Sequence, residues 1–218
     1  MAVAEITANK EGWEASQCFE LKFWRESWPY RDWDFPRIQE LRHGDAEWLM
    51  RKLNFPKTGP RTFQDFEGTC LEVGCGPLGF FELVENVETT AIDTLMGPYA
   101  KHLSFSTLGK RGNSTYLDQD IAEIKDQFDF VVCSNVLDHT GDWIEFLEML
   151  VERVKPGGQL LLMTDTRGAP IEGHTQVYTP SQLRRVLVHM KAKEFLHFRI
   201  EDPVNGHCDK QVYCRVKF

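Results

Sequence analysis

Between Leu71 and Gly79 the chain reads Leu-Glu-Val-Gly-Cys-Gly-Pro-Leu-Gly. Glycines at this density let the main chain approach a ligand closely. Gly74, Gly76 and Gly79 have the Gly-x-Gly-x-x-Gly spacing of a dinucleotide-binding turn, and Asp93, nineteen residues beyond Gly74, stands where such a turn places a ribose-binding acid. Glu72 argues against a pyrophosphate there. Like charges a few ångströms apart cost on the order of several kcal/mol at an effective dielectric near 20, whereas a cationic ligand gains from the same carboxylate. Further along, Asp120-Ile121, Ser134-Asn135, His139 and His174 supply acceptors and two imidazoles able to move a proton. In the first sixty residues, Trp13, Gln17 and Trp24 recur at helical spacing, and tryptophan faces there can stack on a planar or cationic molecule.

These residues need a scaffold. Short apolar runs at 69–73, 89–92, 114–117, 128–133 and 159–164 read as strands, and the intervals between the first four mostly allow helices or crossovers. The glycine stretch is expected to end the first strand and open a helix. A helix is predicted from Trp143 to Lys155, stopped by Pro156-Gly157-Gly158. Another begins at Thr179-Pro180 and runs to about Met190, followed by two strands at 194–200 and 211–216. The pattern predicts an α/β fold: a Rossmann-like parallel sheet with helices on both faces and a C-terminal antiparallel strand. Five of the six tryptophans fall before residue 50, in a helical N-terminal cap that Pro29 and Pro36 interrupt, with a second helical stretch from Phe35 to Leu53 that Gly44 is able to break. We expect one domain over 1–218, divided into a cap (1–67) and an α/β core (68–218).

At these motifs the chain resembles the class I S-adenosylmethionine-dependent methyltransferases. The resemblance is close over Thr69 to Asp165 and looser in the last strand pair, and it rests on five motifs in order. These are Glu72-Val73-Gly74-Cys75-Gly76-Pro77-Leu78-Gly79, Ala91-Ile92-Asp93, Asp120-Ile121, the run from Phe128 to His139, and Val154-Lys155-Pro156-Gly157-Gly158. It implies that Glu72, Gly74, Cys75, Gly76, Gly79, Asp93, Thr94, Asp120, Ile121, Ser134 and Asn135 bind S-adenosylmethionine. It further implies methyl transfer to oxygen or nitrogen of a small molecule such as a sugar, lipid or secondary metabolite. His139 and His174 are candidate bases, and Trp13, Gln17 and Trp24 candidate acceptor contacts, with Arg25, Arg31 and Arg37 nearby should the acceptor be anionic. An NAD(P)-dependent oxidoreductase and a non-catalytic S-adenosylmethionine-binding protein remain the alternatives.

Composition narrows the partners. With 25 Lys+Arg against 33 Asp+Glu the net charge is -8, and no basic run offsets it, so neither nucleic acid nor anionic membrane is an expected partner. No apolar stretch is long enough to span a bilayer and no signal pattern opens the chain, which reads as soluble and cytoplasmic. The six cysteines lack paired spacing and read as reduced thiols, with no metal site expected. A chain of this size buries roughly 72 % of its unfolded surface, enough for one core without cross-links.

Overall fold

The computed structural model describes residues 10–171, 173–203 and 208–218, with side chains from residue 14 onward. Helix α1 (Lys10–Lys22) passes into a π turn (Phe23–Ser27) that ends where Trp28 turns extended before Pro29. Helix α2 (Phe35–Lys52) follows, capped by Asp34, and it continues through Gly44, which lies at an exposed position. After an antiparallel ribbon of β1 (Lys57–Gly59) and β2 (Thr62–Phe63) come β3 (Gly68–Val73), β4 (Val87–Ile92), α3 (Met96–His102), β5 (Gly109–Arg111), β6 (Ser114–Leu117), β7 (Phe128–Ser134), α4 (Trp143–Glu152), β8 (Val154–Thr166), α5 (Pro180–His189), β9 (Glu194–Glu201) and β10 (Lys210–Lys217).

The last eight strands make one sheet in the order β5-β6-β4-β3-β7-β8-β10-β9. Strands β6, β4, β3, β7 and β8 run parallel, and β5, β10 and β9 pair antiparallel with their neighbours. Strand β10 inserts between β8 and β9, so the final hairpin joins the sheet by its second strand. Alternate residues divide the sheet into two apolar faces. Leu71, Val131, Leu160 and Val212 pack under Leu147 and Leu150 of α4 and Leu183 and Leu187 of α5. Cys70, Val132, Leu161 and Tyr213 pack under Ala46, Leu49 and Met50 of α2 and Leu53 just past its end. Ala91 and Tyr116 meet Met96 and Tyr99 of α3, together with Ile38 of α2 and the buried Trp28. Helices therefore cover both faces, as the apolar patterning predicts.

Two expectations are corrected. No helix follows the glycine stretch, since residues 74–86 form turns. Pro77 and three glycines oppose a helix here, and side chains satisfy the turn instead: Phe80 N–H donates to Glu72 Oε1 at 2.9 Å, and Arg42 Nε donates to the Leu78 carbonyl at 2.8 Å. Helix α4 also ends earlier than predicted, at Glu152, and Pro156-Gly157-Gly158 lies within the start of β8. A Cβ on Gly158 would sit 2.8 Å from the Asp129 carbonyl, so that glycine permits close strand approach rather than terminating a helix. The connection between the last two strands falls partly, at 204–207, outside the described residues.

Candidate active site

The parallel strands β3, β4, β6 and β7 end on the same side of the sheet, where ligands bind in folds of this kind. A cavity of about 320 Å³ opens there. Its floor is the glycine turn. Gly74 has φ 69° and Gly76 φ 63°, and a Cβ on Gly74 would fall 2.3 Å from Val136 Cγ2, so both conformation and space demand glycine at 74. Gly74, Cys75 and Gly76 line the cavity, as do Asp93, Thr94, Asp120, Ile121, Ser134 and Asn135. The structure thus gathers nine of the eleven residues predicted for the cofactor.

Glu72 and Gly79 are the two it places elsewhere. Glu72 is 2 % exposed and lies behind the turn, and a Cβ on Gly79 would come 2.6 Å from its Oε2. Burial pushes the Glu72 carboxyl up to about 7, with bonds from the Phe80 and Phe81 backbone and the charge of Arg42 offsetting only part of that. The carboxylate expected to meet a cationic ligand instead shapes the loop, and Gly79 leaves it room.

Asp93 divides its work between loop and cavity. Its Oδ2 accepts Gly76 N–H at 2.9 Å and its Oδ1 accepts Leu95 N–H at 2.8 Å. Burial raises its carboxyl to about 6 against the pull of those two bonds. Each oxygen keeps a lone pair for a ligand hydroxyl. Asp120 caps a 3₁₀ turn by accepting Ala122 N–H at 2.9 Å, which sets buried Ile121 against the cavity. Asn135 adopts φ 58° at the end of β7 and anchors its N–H on the Met163 carbonyl at 2.8 Å. The Cys75 thiol, raised well above its ordinary range by burial and then by Asp93 and Glu72, stays protonated.

Across the cavity stands the N-terminal cap. Gln17, Glu20 and Trp24 line it, sharing one helix face at three- and four-residue steps. Gln17 Nε2 donates to Thr94 Oγ1 at 2.7 Å, and Trp24 Cζ2 lies 3.3 Å from where a Gly76 Cβ would be. The side chain of Trp13 lies outside those described. None of Arg25, Arg31 and Arg37 lines the cavity: Arg31 lies 3.8 Å from Asp32, and Arg37 stacks at 3.6 Å over Trp33. Among the described residues, Arg42 is the one Lys or Arg that does so. It is held by Leu78, by Asp45 at 3.0 Å and by the Phe80 ring at 4.1 Å.

The two predicted histidines meet, with ring centroids 4.2 Å apart, and only His139 lines the cavity. His174 sits beside it on the loop after β8, its Nδ1 2.6 Å from Asp138 Oδ2. Asp138 is fully buried, and behind it Arg167 Nε lies 3.9 Å from Oδ2 while Arg167 Nη2 bonds Asp165 Oδ2 at 3.3 Å. Burial would raise the Asp138 carboxyl, but the His174 bond and the charge of both imidazoles outweigh it and hold the carboxyl below its usual range. His139 has Glu20 Oε1 3.7 Å from Nδ1 and Asp138 Oδ1 3.8 Å from Nε2. Burial, outweighing Asp138, holds its pKa below the ordinary imidazole value. Asp138, His139 and His174 are close enough to share a metal ion, their ligand atoms lying within 4.8 Å. The 2.6 Å Asp138–His174 contact is nonetheless shorter than the roughly 3 Å between two ligands of one ion, and it has the length of a charge-assisted hydrogen bond.

A mostly parallel sheet, a glycine turn after its central strand, an acid ending the next strand and a cavity across their carboxyl ends are the features of the class I methyltransferase fold. Residues 41–215 match the family described as "Methyltransferase domain", and the chain belongs to that family. The oxidoreductase reading of the glycine spacing is thereby set aside. Among curated proteins, the ubiquinone biosynthesis O-methyltransferase of Rickettsia bellii is 28 % identical over 145 residues, covering 65 % of this chain and 58 % of that protein. The mitochondrial one of Schizosaccharomyces pombe is 32 % identical over 147 residues, covering 62 % and 51 %. The chain thus spans little more than half the length of these relatives. Among solved structures, the N-methyltransferase NodS of Bradyrhizobium japonicum, in complex with S-adenosylhomocysteine, aligns with TM-score 0.61 at 18 % identity over 93 % of this chain and 98 % of that one. The 1,6-didemethyltoxoflavin-N1-methyltransferase of Burkholderia thailandensis aligns with TM-score 0.62 at 14 % identity over 99 % and 93 %. At those identities the shared property is the fold. No helix among the described residues is long and apolar enough to cross a membrane.

Proposed function

We propose that this chain transfers a methyl group from S-adenosylmethionine to the hydroxyl oxygen of an uncharged small molecule. His139 carries the reading: a buried imidazole on the cavity wall, held below its ordinary acid range and therefore neutral at pH 7, with a carboxylate toward each ring nitrogen. A hydroxyl is the acceptor that needs such a base, because it must lose a proton as it attacks, whereas a neutral amine already has its lone pair. The charge around the site agrees. Glu20 faces the cavity on the side of His139, and the one lining cation, Arg42, is engaged at the glycine turn, so an anionic acceptor gains nothing near the base. The curated relatives, O-methyltransferases by name, support oxygen over nitrogen.

The donor, when bound, supplies a methyl group already activated on a sulfonium sulfur. The residues present fit it: the glycine turn gives its backbone close access, Asp93 has free lone pairs for ribose hydroxyls, Asp120 and Ile121 offer an acceptor and an apolar surface to the base, and Arg42 offers a cation to the carboxylate. With donor and acceptor bound, His139 would take the proton that the hydroxyl gives up as it accepts the methyl group, and Glu20 would face the imidazolium from the Nδ1 side. The cap contributes by excluding water and holding the reactants in line, a source of much of the acceleration available to such a displacement. We read 1–67 as that cap and 68–218 as the core of one domain. The test is transfer of labelled methyl from S-adenosylmethionine to an equimolar panel of catechols, aliphatic alcohols, primary amines and carboxylic acids. Label is expected on hydroxyl oxygen; label confined to amines or carboxylates refutes the reading.

A further inference from the structure

We infer that Glu20 is a positioning residue, through which the N-terminal helix supplies a second carboxylate to His139, so that an imidazolium there is countered on its Nδ1 side only when α1 is seated on the core. This rests on the proposed role of His139 as base. Four consecutive contacts from little more than one turn of α1 span the cavity mouth. Ser16 Oγ donates to the Gly173 carbonyl at 3.0 Å, and Gln17 Nε2 to Thr94 Oγ1 at 2.7 Å. Phe19 packs so closely that a Cβ on Gly173 would fall 2.8 Å from its ring, and Glu20 Oε1 reaches to 3.7 Å from His139 Nδ1. The helix thereby bridges the loop after β4 and the loop carrying His174, with Glu20 between them.

Packing alone gives no reason for a carboxylate here. Burial and the like charge of Asp93 both push the Glu20 carboxyl upward, and what opposes them is His174 and a hydrogen bond from Trp24, with Asp138 adding a further like charge. The groups facing His139 are Glu20 from α1, Asp138 on its own segment, His174 and the Gly173 carbonyl from the loop after β8, and Arg167 beyond the end of β8. Of these, Glu20 and Asp138 are the only anions. Asp138 holds His174 through Oδ2 at 2.6 Å and turns Oδ1 toward His139 Nε2 at 3.8 Å, so Glu20 is the carboxylate that faces a proton on His139 Nδ1. With α1 displaced that counter-charge leaves, and His139, lying in the field of Arg167, loses proton affinity.

The experiment is a ¹⁵N-histidine NMR titration of the full chain bound to S-adenosylhomocysteine, comparing wild type with Glu20→Gln and Glu20→Asp. Calorimetry with S-adenosylmethionine and S-adenosylhomocysteine is run on each. In Glu20→Gln the midpoint of His139 should fall by at least half a pH unit, with Glu20→Asp restoring part of the shift and the affinity ratio of the two ligands unchanged. Unchanged midpoints in a folded Gln variant overturn the inference. So does a tenfold loss of affinity for S-adenosylmethionine alone, which would make Glu20 a reader of the sulfonium charge. Neither readout depends on turnover, so failure here is distinct from failure of hydroxyl methylation.

Discussion

Replacing His139 by alanine is expected to lower kcat for a hydroxyl acceptor by about 10²- to 10⁴-fold, the usual range for loss of a positioned base, while S-adenosylhomocysteine affinity stays within about threefold. The separation follows from position: His139 lies beyond the end of β7, whereas the glycine turn follows β3 and Asp93 follows β4. The pH profile supplies a second check. A histidine whose pKa is lowered is neutral, and therefore able to accept a proton, down to a lower pH than a free one. The acid limb of wild-type kcat/KM should accordingly lie below pH 6.5 and disappear in the alanine variant, whose residual rate should instead climb with pH as the acceptor itself ionises. Stopped assays across pH 5 to 9 measure both. A variant retaining wild-type kcat would remove His139 from the mechanism and leave alignment as the source of the rate.

The second large effect belongs to Asp93. Asp93→Ala should weaken S-adenosylhomocysteine binding by about 100-fold or more. Two costs combine. Charge-assisted bonds to a ribose diol contribute about 1.5 to 3 kcal/mol each, and the alanine also strands the Gly76 and Leu95 N–H groups that the carboxylate now holds. The second loss loosens the turn itself, so Asp93→Asn, which keeps an acceptor for one of those groups, should fall between alanine and wild type. Calorimetry on the three proteins orders them. Equal affinities in folded variants would place the ribose elsewhere.

Much of this site could be read from the chain because the residues concerned are local. Gly74, Gly76, Asp93, Asp120 and Asn135 each follow a strand by a few positions, and a parallel sheet delivers strand ends to one side whatever the details of its helices. What escaped depends on contacts between distant segments. Glu72 was expected to meet the ligand because it adjoins the glycines, but strand alternation points it to the face under α2, where it bonds the loop from behind. The turn at 74–86 lacks the expected helix because Glu72 and Arg42 satisfy backbone groups that a helical ladder would otherwise serve. Arg42 did leave a signal: it interrupts the apolar stripe Ile38, Ala46 and Leu49 of α2, and a charge on a buried stripe needs a partner. Glu20 likewise shares its helix face with Gln17 and Trp24. Asp138 had no such mark, since its burial depends on His174 arriving from a loop some thirty-five residues later.

The most direct test of the account is the crystal structure of the S-adenosylhomocysteine complex. It should show the ribose hydroxyls on Asp93, the adenine against Ile121 and Asp120, and the sulfur facing the space beside His139 and Glu20. A ligand seated outside the 74–76 turn, or one whose sulfur points away from His139, would contradict it.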